Sequence, residues 1–488
     1  MTLKELFGAS CANLPDTQVL GITQNSKEAG QGFVFFAVKG HTVDGHDFID
    51  TVISRGAAAI VTDRDLEQSY PIPIIKVTNM DAAMADAACK FYDNPAEKLN
   101  IIGITGTKGK TSISYMLESI LLAAKKSPAV FGTINYRING EVLSKAPNTT
   151  PPAISLQSMI DQAARKNSDV LVMEVSSHAL ELKRTDGINF NTAIFTNLQR
   201  DHLDFHSNFD NYFAAKRKLF ENLLNPKNTK PKRAAVINID DPYGQKLADM
   251  LKNKVKVITY SLTKPADFVA KDINLSLDGV SFKVNGESAR INLLGKHNVY
   301  NALAAIAAAH KMGIHEKVAI KGLDNLKGVP GRMERVDCGQ DFYVFVDFAY
   351  TNESMIRAFD AVAPFKQGRI ITVFGCGGQR DISKRPLMGA TAAKNSDLVF
   401  ITKDNPRKED SNKIFLDILG GMPGFDNFKI IPDRKEAIFE AIKTAKKNDI
   451  VIIAGKGHED YQILPSGTIP FSDREEAEAA LKLYVHSK

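Results

Sequence analysis

Residues 103–112 read GITGTKGKTS and place Gly109-Lys110-Thr111 directly after an apolar strand and before a helical stretch. Glycines let backbone N–H groups turn inward around anionic oxygens. A lysine adds a point charge, a threonine hydroxyl suits Mg²⁺, and a helix N-terminus favours phosphate. Gly106, Thr107, Gly109, Lys110, Thr111 and Ser112 are therefore the candidate phosphate-binding residues. The strict G-x-x-x-x-G-K-[ST] pattern needs glycine where Ile104 stands, so the generic match fails by one residue, and an ordinary Gly-rich turn is the alternative. Nucleotide hydrolysis or transfer follows as the chemistry, with the acceptor left open.

Carboxylates and histidines gather after two later strands. Residues 172–180, VMEVSSHAL, put Glu174 at the end of a buried strand, where a carboxylate needs a partner. Residues 196–206, TNLQRDHLDFH, end a second strand in Asp201, His202 and Asp204. Such clusters bind divalent cations, and they also make turns and caps. His178 and His206 read as structural. Lys216 lies on a predicted helix, and from the residues alone nothing separates it from Lys218. Further on, three strands end in polar, Gly- or Pro-punctuated loops: 375–386 (GCGGQRDISKRP), 404–407 (DNPR) and 455–459 (GKGHE). On one edge of a parallel sheet, Arg380, Arg407 and Glu459 suit a zwitterion carrying carboxylate and ammonium groups.

These residues must be carried by a sizeable scaffold. A chain of 488 residues suggests about three domains, at roughly 150 residues each. Short apolar runs alternate with helical patterns throughout, which predicts an α/β protein. The first region, 1–98, is a small α/β domain ending in the Asn-Pro linker of residues 93–99. The second, 99–327, is a P-loop doubly wound parallel sheet with buried strands near 100–105, 170–175, 193–197 and 234–239. The third, 328–488, follows a turn-rich hinge at 328–332 and is Rossmann-like, with strands near 342–347, 369–374, 398–402 and 450–454. The basic run 227–233, KNTKPKR, reads as a solvated loop. A net charge of +6 over this length is mild and gives no support for nucleic-acid binding. Four dispersed cysteines, Cys11, Cys89, Cys338 and Cys376, predict neither a disulfide framework nor a zinc site. With no secretory signal and no membrane-length apolar run, a cytoplasmic protein is expected.

Taken in order, these segments resemble the Mur ligase family of peptidoglycan synthesis. Matching stretches run from KGHTVDGHDFI (39–49) through TGTKGKT, NTTP (148–151), EVSSHAL, TNLQRDHLDFH, GKHNVYNALAA (295–305), VPGRMERVD, GCGGQRD, DNPR and GKGHED, nearly the whole chain. The resemblance implies three domains, holding the UDP-sugar, ATP and the incoming amino acid. It implies an ATP- and Mg²⁺-dependent ligase that adds meso-diaminopimelate to UDP-N-acetylmuramoyl-L-alanyl-D-glutamate, acting as a monomer. Ser26 and the segment 40–44 would contact UDP, and Asn148, Thr149, Thr150, Ser176 and Arg184 the sugar-dipeptide. Thr111, Glu174 and His202 match the metal positions. Lys216 matches a lysine that relatives carry as a carbamate, which turns a cation into an anionic metal ligand. Lys110, Glu174, His202 and Lys216 would thus form the catalytic set. His297, Asn298 and Asn301 would hold adenine, with Arg332 and Asp347 also on ATP.

Arg380, Asp404, Asn405, Arg407, Gly455 and Glu459 would take the amino acid. The DNPR form is the one associated with diaminopimelate, whose distal carboxylate gives Arg407 a bidentate partner that lysine lacks. Lysine addition, another Mur step, a folylpolyglutamate-synthetase-like ligase and a non-catalytic nucleotide-binding relative are the alternatives. Departures from the family pattern include Lys108 for Asn, Asn25 and Lys27 flanking Ser26, Tyr350 for His, Asn352 for Pro, and Gln379 for Asp.

Overall fold

The computed structural model describes residues 1–8, 16–40, 43–199, 201 and 203–486. The chain forms two compact units, Met1–Val269 with Leu303–Gly322, and Ala270–Ala302 with Leu323–Lys488.

The first unit carries two sheets. The smaller is parallel and runs in chain order, β1 (Gly21–Thr23), β2 (Phe33–Phe36), β3 (Ala59–Thr62) and β4 (Ile74–Lys76). The larger uses β5 (Asn100–Thr105), β6 (Pro128–Phe131), β7 (Asn135–Ile138), β8 (Glu141–Lys145), β9 (Val170–Glu174), β10 (Thr192–Phe195), β11 (Ala234–Asn238) and β12 (Lys256–Ser261). Its order is β12-β11-β10-β5-β9-β6-β7-β8, parallel from β12 to β6 and antiparallel beyond. Helices cover both faces of the parallel part, so β5, β9, β10 and β11 are almost wholly buried and read as continuous apolar runs. Strand β5 has β9 on one side and β10 on the other. The crevice beyond its carboxyl end is therefore the place where such a sheet binds ligands. In register, Ile104 faces Glu174 and Thr105 faces Phe195, so the three strands deliver their terminal residues to one rim.

The second unit contains a hairpin and a second large sheet. Strand β13 (Phe268–Ser276) begins alongside β12, and from Ala270 on it pairs antiparallel with β14 (Gly279–Val284), followed by β15 (Glu287–Ile291). The sheet uses β16 (Glu334–Arg335), β17 (Tyr343–Asp347), β18 (Ile370–Phe374), β19 (Leu398–Ile401), β20 (Phe428–Ile430) and β21 (Ile450–Ala454). Its order is β16-β17-β21-β18-β19-β20, parallel except for β16. The loops after β17, β18, β19 and β21 therefore emerge on the same edge. A final hairpin joins β22 (Tyr461–Leu464) to β23 (Gly467–Pro470).

The buried strands predicted from apolar runs all form, within a residue or two. The polar strands β7, β8 and β12–β15 carry no such run, and only pairing reveals them. The basic run 227–233 departs from expectation. Lys230 is buried, and its ammonium donates to the carbonyls of Ala96, Glu97 and Leu99 at 2.7, 2.9 and 2.9 Å. Those carbonyls close a short 3₁₀ turn, Pro95–Lys98, and have no helix to continue into. The lysine supplies the donors that the ending turn lacks. No helix among the described residues is long and apolar enough to cross a membrane.

Candidate active site

The loop after β5 enters helix Lys110–Ala123 through Gly109, whose φ of 94° is left-handed. Gly106 has φ 142°, and a Cβ there would collide with the Thr196 hydroxyl. Neighbouring strands brace the loop from outside. The Asn197 carbonyl accepts from Thr107 N–H at 2.9 Å, its side chain accepts from Lys108 N–H at 3.0 Å, and Thr196 donates to the Lys108 carbonyl at 2.7 Å. Lys108, one of the departures, reaches Asp201 at 3.2 Å.

Two lysines converge inside this loop. Lys110 Nζ donates to the carbonyls of Gly106 and Thr107 at 2.9 and 3.1 Å. Lys216 Nζ, from helix Phe209–Leu224, donates to the same Gly106 carbonyl at 3.0 Å and lies 4.3 Å over the Tyr212 ring. Lys216 is 2% exposed. Burial first, and then the neighbouring Lys110 charge, hold its ammonium well below the usual lysine range. Lys218, by contrast, is half exposed and pairs with Glu181 at 2.7 Å. The structure thus separates two lysines that the sequence left equivalent. Two basic side chains thus share one carbonyl, and the charge of Lys110 suits the loop to anions.

One strand away, Glu174 is 1% exposed. It accepts from the Thr111 hydroxyl at 3.0 Å, from Thr133 N–H at 3.0 Å and from the Thr133 hydroxyl at 2.8 Å. Thr133 sits in the turn between β6 and β7, where no local pattern of residues marks it. Among the described residues no three His, Cys, Asp or Glu side chains form a metal cluster. His202 lies outside the described residues. His206 is buried, contacts the Ser177 hydroxyl at 2.8 Å and packs on Tyr212.

The candidate sugar-dipeptide residues line the same rim. The Thr150 hydroxyl donates to the Glu174 carbonyl at 2.8 Å and accepts from Ser176 N–H at 3.1 Å. Thr149 contacts the Thr133 hydroxyl at 3.1 Å, the Asn148 carbonyl accepts from Tyr136, and Arg184 donates to the Thr150 carbonyl at 3.0 Å. Ser176 caps helix Ser177–Glu181. Ser26 lies on the loop after β1, where Arg55 donates to its carbonyl at 2.7 Å.

In the second unit, the edge loops meet. Arg407 has φ 57° and donates to the Gly378 carbonyl at 2.9 Å and the Asn405 carbonyl at 3.3 Å. A Cβ on Gly377 would stand 3.2 Å from the Arg407 guanidinium and 3.7 Å from the Arg380 side chain, so the two arginines flank one glycine. Asn405 donates to Glu459 at 2.9 Å. Asp404 is buried, which pushes its carboxyl up, and a Cβ on Gly455 would press on it at 2.8 Å. The loop is held from below by residues that sequence reasoning missed. The fully buried Arg385 donates to the Gly377 carbonyl and pairs with Glu409 and Asp417, both at 2.7 Å. Elsewhere on this edge, Asp347 accepts from Met333 N–H at 2.6 Å, and burial raises its carboxyl to about 6 against the pull of Arg332. Arg332 stacks over Phe348 at 5.5 Å, and Phe348 packs on His458 at 4.6 Å. His297, Asn298 and Asn301 open helix His297–Lys311, where Asn298 donates to the Leu294 carbonyl and Asn301 to Asn298, both at 2.8 Å.

Residues 18–92 match the Mur ligase family, catalytic domain; residues 104–309 the Mur ligase middle domain; and residues 331–457 the Mur ligase, glutamate ligase domain. The chain is 43% identical over 476 residues to the UDP-N-acetylmuramoyl-L-alanyl-D-glutamate--2,6-diaminopimelate ligase of Solibacter usitatus, covering 96% of this chain and 95% of that one. It is 41% identical over 485 residues to the protein of the same name in Geobacter metallireducens, covering 95% and 94%. A solved structure of a protein of that name matches with a TM-score of 0.70 at 30% identity, over 100% of this chain and 99% of the other. MurF from Acinetobacter baumannii matches with a TM-score of 0.67 at 19% identity, over 100% and 99%, a likeness of fold alone.

Proposed function

This chain belongs to the Mur ligase family, and from that premise we propose that it joins meso-diaminopimelate to UDP-N-acetylmuramoyl-L-alanyl-D-glutamate at the expense of ATP, through an acyl phosphate. The observation that carries the reaction class is the convergence of Lys110 and Lys216 on the Gly106 carbonyl, one strand from the Thr111–Glu174 pair. The DNPR loop, with Arg407 and Arg380 flanking Gly377, supports the amino-acid substrate. The functional division follows 1–98 for the UDP-sugar, 99–327 for ATP and 328–488 for the amino acid, in a cytoplasmic monomer.

A carboxylate is a poor electrophile because its leaving group is oxide. The side-chain carboxylate of the D-glutamyl residue attacks the γ-phosphorus, an O–P bond forms, and ADP departs. The substrate amine then attacks the acyl carbon with its lone pair and loses a proton, and the tetrahedral intermediate expels phosphate. Lys110 and the N–H groups of Gly106–Ser112 neutralise the charge that moves with the γ-phosphoryl group. Arg332, Asp347, His297, Asn298 and Asn301 bind the nucleotide. Ser26, Asn148, Thr149, Thr150, Ser176 and Arg184 orient the UDP-sugar-dipeptide.

The residues present fit Mg²⁺. Glu174 is a buried carboxylate whose hydrogen bonds come from neutral donors, an arrangement that favours a cation. Carboxylate and hydroxyl oxygens are the hard donors this ion takes. Thr111 and Glu174 would hold it, together with His202 and Lys216 as a carbamate. When bound, it supplies charge neutralisation at the phosphates. Lys216 suits carbamate formation because burial and the neighbouring Lys110 charge disfavour its ammonium form. The amine's lone pair forms the N–C bond to carbon dioxide and one proton leaves.

The test is hydroxylamine trapping followed by an amine panel. ATP and UDP-sugar-dipeptide without amino acid give a hydroxamate, and meso-diaminopimelate is ligated in preference to L-lysine. Normal turnover with no hydroxamate refutes the acyl phosphate. Equal use of both amines refutes the specificity.

A further inference from the structure

Lys456, in the turn after β21, is fully buried, with no exposed surface. Its ammonium pairs with Glu459 Oε2 at 3.0 Å and donates to Asn405 Oδ1 at 3.3 Å. Asn405 Nδ2 donates to that same Glu459 Oε2 at 2.9 Å. Asn405 is itself fixed, because its Oδ1 also accepts from Ile463 N–H at 2.9 Å. The Tyr461 ring lies 5.4 Å from Nζ. A lysine and an asparagine thus hold one half-buried carboxylate, both through its Oε2.

Burying an ammonium group costs several kcal/mol, and an apolar side chain of like volume fills such a space at least as well. A charge kept here therefore has work beyond filling space. We propose that Lys456 is a positioning residue for the amino-acid substrate: it supplies the counter-charge of Glu459 and clamps Oε2, so that Oε1 faces the substrate ammonium. Lys456 acts through Glu459 and does not touch the substrate. The inference rests on the reaction proposed above and names how its third substrate is held.

The experiment is a double-mutant cycle on the full-length enzyme with Lys456→Met, Glu459→Gln and the double variant. Lys456→Met is expected to raise the KM for meso-diaminopimelate at least tenfold, leaving the KM values for ATP and UDP-sugar-dipeptide within twofold. The double variant should bind diaminopimelate within about twofold of Glu459→Gln alone, since residues acting as one unit are non-additive. Calorimetric titration of diaminopimelate into enzyme loaded with the UDP substrate and a non-hydrolysable ATP analogue gives the same comparison without turnover. Effects that multiply in the double variant, or three KM values rising together, overturn the inference, and so does an unmoved diaminopimelate KM. If Lys456→Met does not fold, Lys456→Gln, which removes the counter-charge of Glu459 while keeping a polar side chain, must raise only the diaminopimelate KM. A wild-type chain that ligates no diaminopimelate overturns the reaction reading itself. Ligation with an additive cycle overturns only the role of Lys456.

Discussion

Replacing Arg407 by alanine isolates the recognition of the substrate's distal carboxylate. Arg407 spends Nη1 on the Gly378 and Asn405 carbonyls at 2.9 and 3.3 Å, which fixes the guanidinium plane. Nε and Nη2 make no hydrogen bond among the described residues and form the fork that a carboxylate matches. Truncating one partner of a hydrogen-bonded charge pair costs about 2–5 kcal/mol, and the half-buried setting of Arg407 puts this case at the lower end. A loss of about 2–3 kcal/mol corresponds to a fall of roughly 30- to 150-fold in kcat/KM for meso-diaminopimelate. L-Lysine has no distal carboxylate, so its slower reaction should change less than about threefold. The Arg407 bonds to loop carbonyls are partly exposed, so folding should lose only about 1 kcal/mol. The assay is phosphate release with each amine at fixed ATP and UDP substrate, with a thermal melt on each variant. Equal losses with both amines, or an unchanged diaminopimelate rate, refute the reasoning.

Three further outcomes follow from the geometry. Lys216→Met should leave nucleotide affinity within a few-fold but lower kcat by about 100-fold or more, the scale of one lost charge-stabilising group; ¹³C-bicarbonate should give a carbamate resonance in wild type that is missing in the variant. Asp347 has its carboxyl raised from 3.8 to about 6 by burial, so its contribution to stability is complete below about pH 4 and is lost as pH rises through 6. Asp347→Asn should flatten that slope and gain on the order of 2 kcal/mol above pH 6 while weakening ATP use, and melts from pH 4 to 7 check the sign. Lys230→Met removes three hydrogen bonds to the carbonyls of the 95–99 turn and should cost about 2–4 kcal/mol in urea unfolding, with kcat per folded molecule unchanged.

The sequence by itself determined the alternation of strands and helices, because strands buried on both faces must be apolar throughout, as Ile101–Ile104, Val170–Met173 and Ile450–Ala454 are. It also marked the loops. Gly109-Lys110-Thr111, the DNPR tetrad and GKGHE each join unusual backbone to charge, and that combination is visible in a few consecutive letters. Short or mixed strands such as β7 and β14 were not legible, since cross-strand pairing defines them and no local run does. Nor was the difference between Lys216 and Lys218. Both sit on one helix, and only packing against the loop of Gly106 buries one and leaves the other in solvent. Thr133 on Glu174, Lys230 under the 95–99 turn and Lys456 on Glu459 are of the same kind. Their roles depend on a partner's direction and on exclusion of water, and tertiary structure alone decides both.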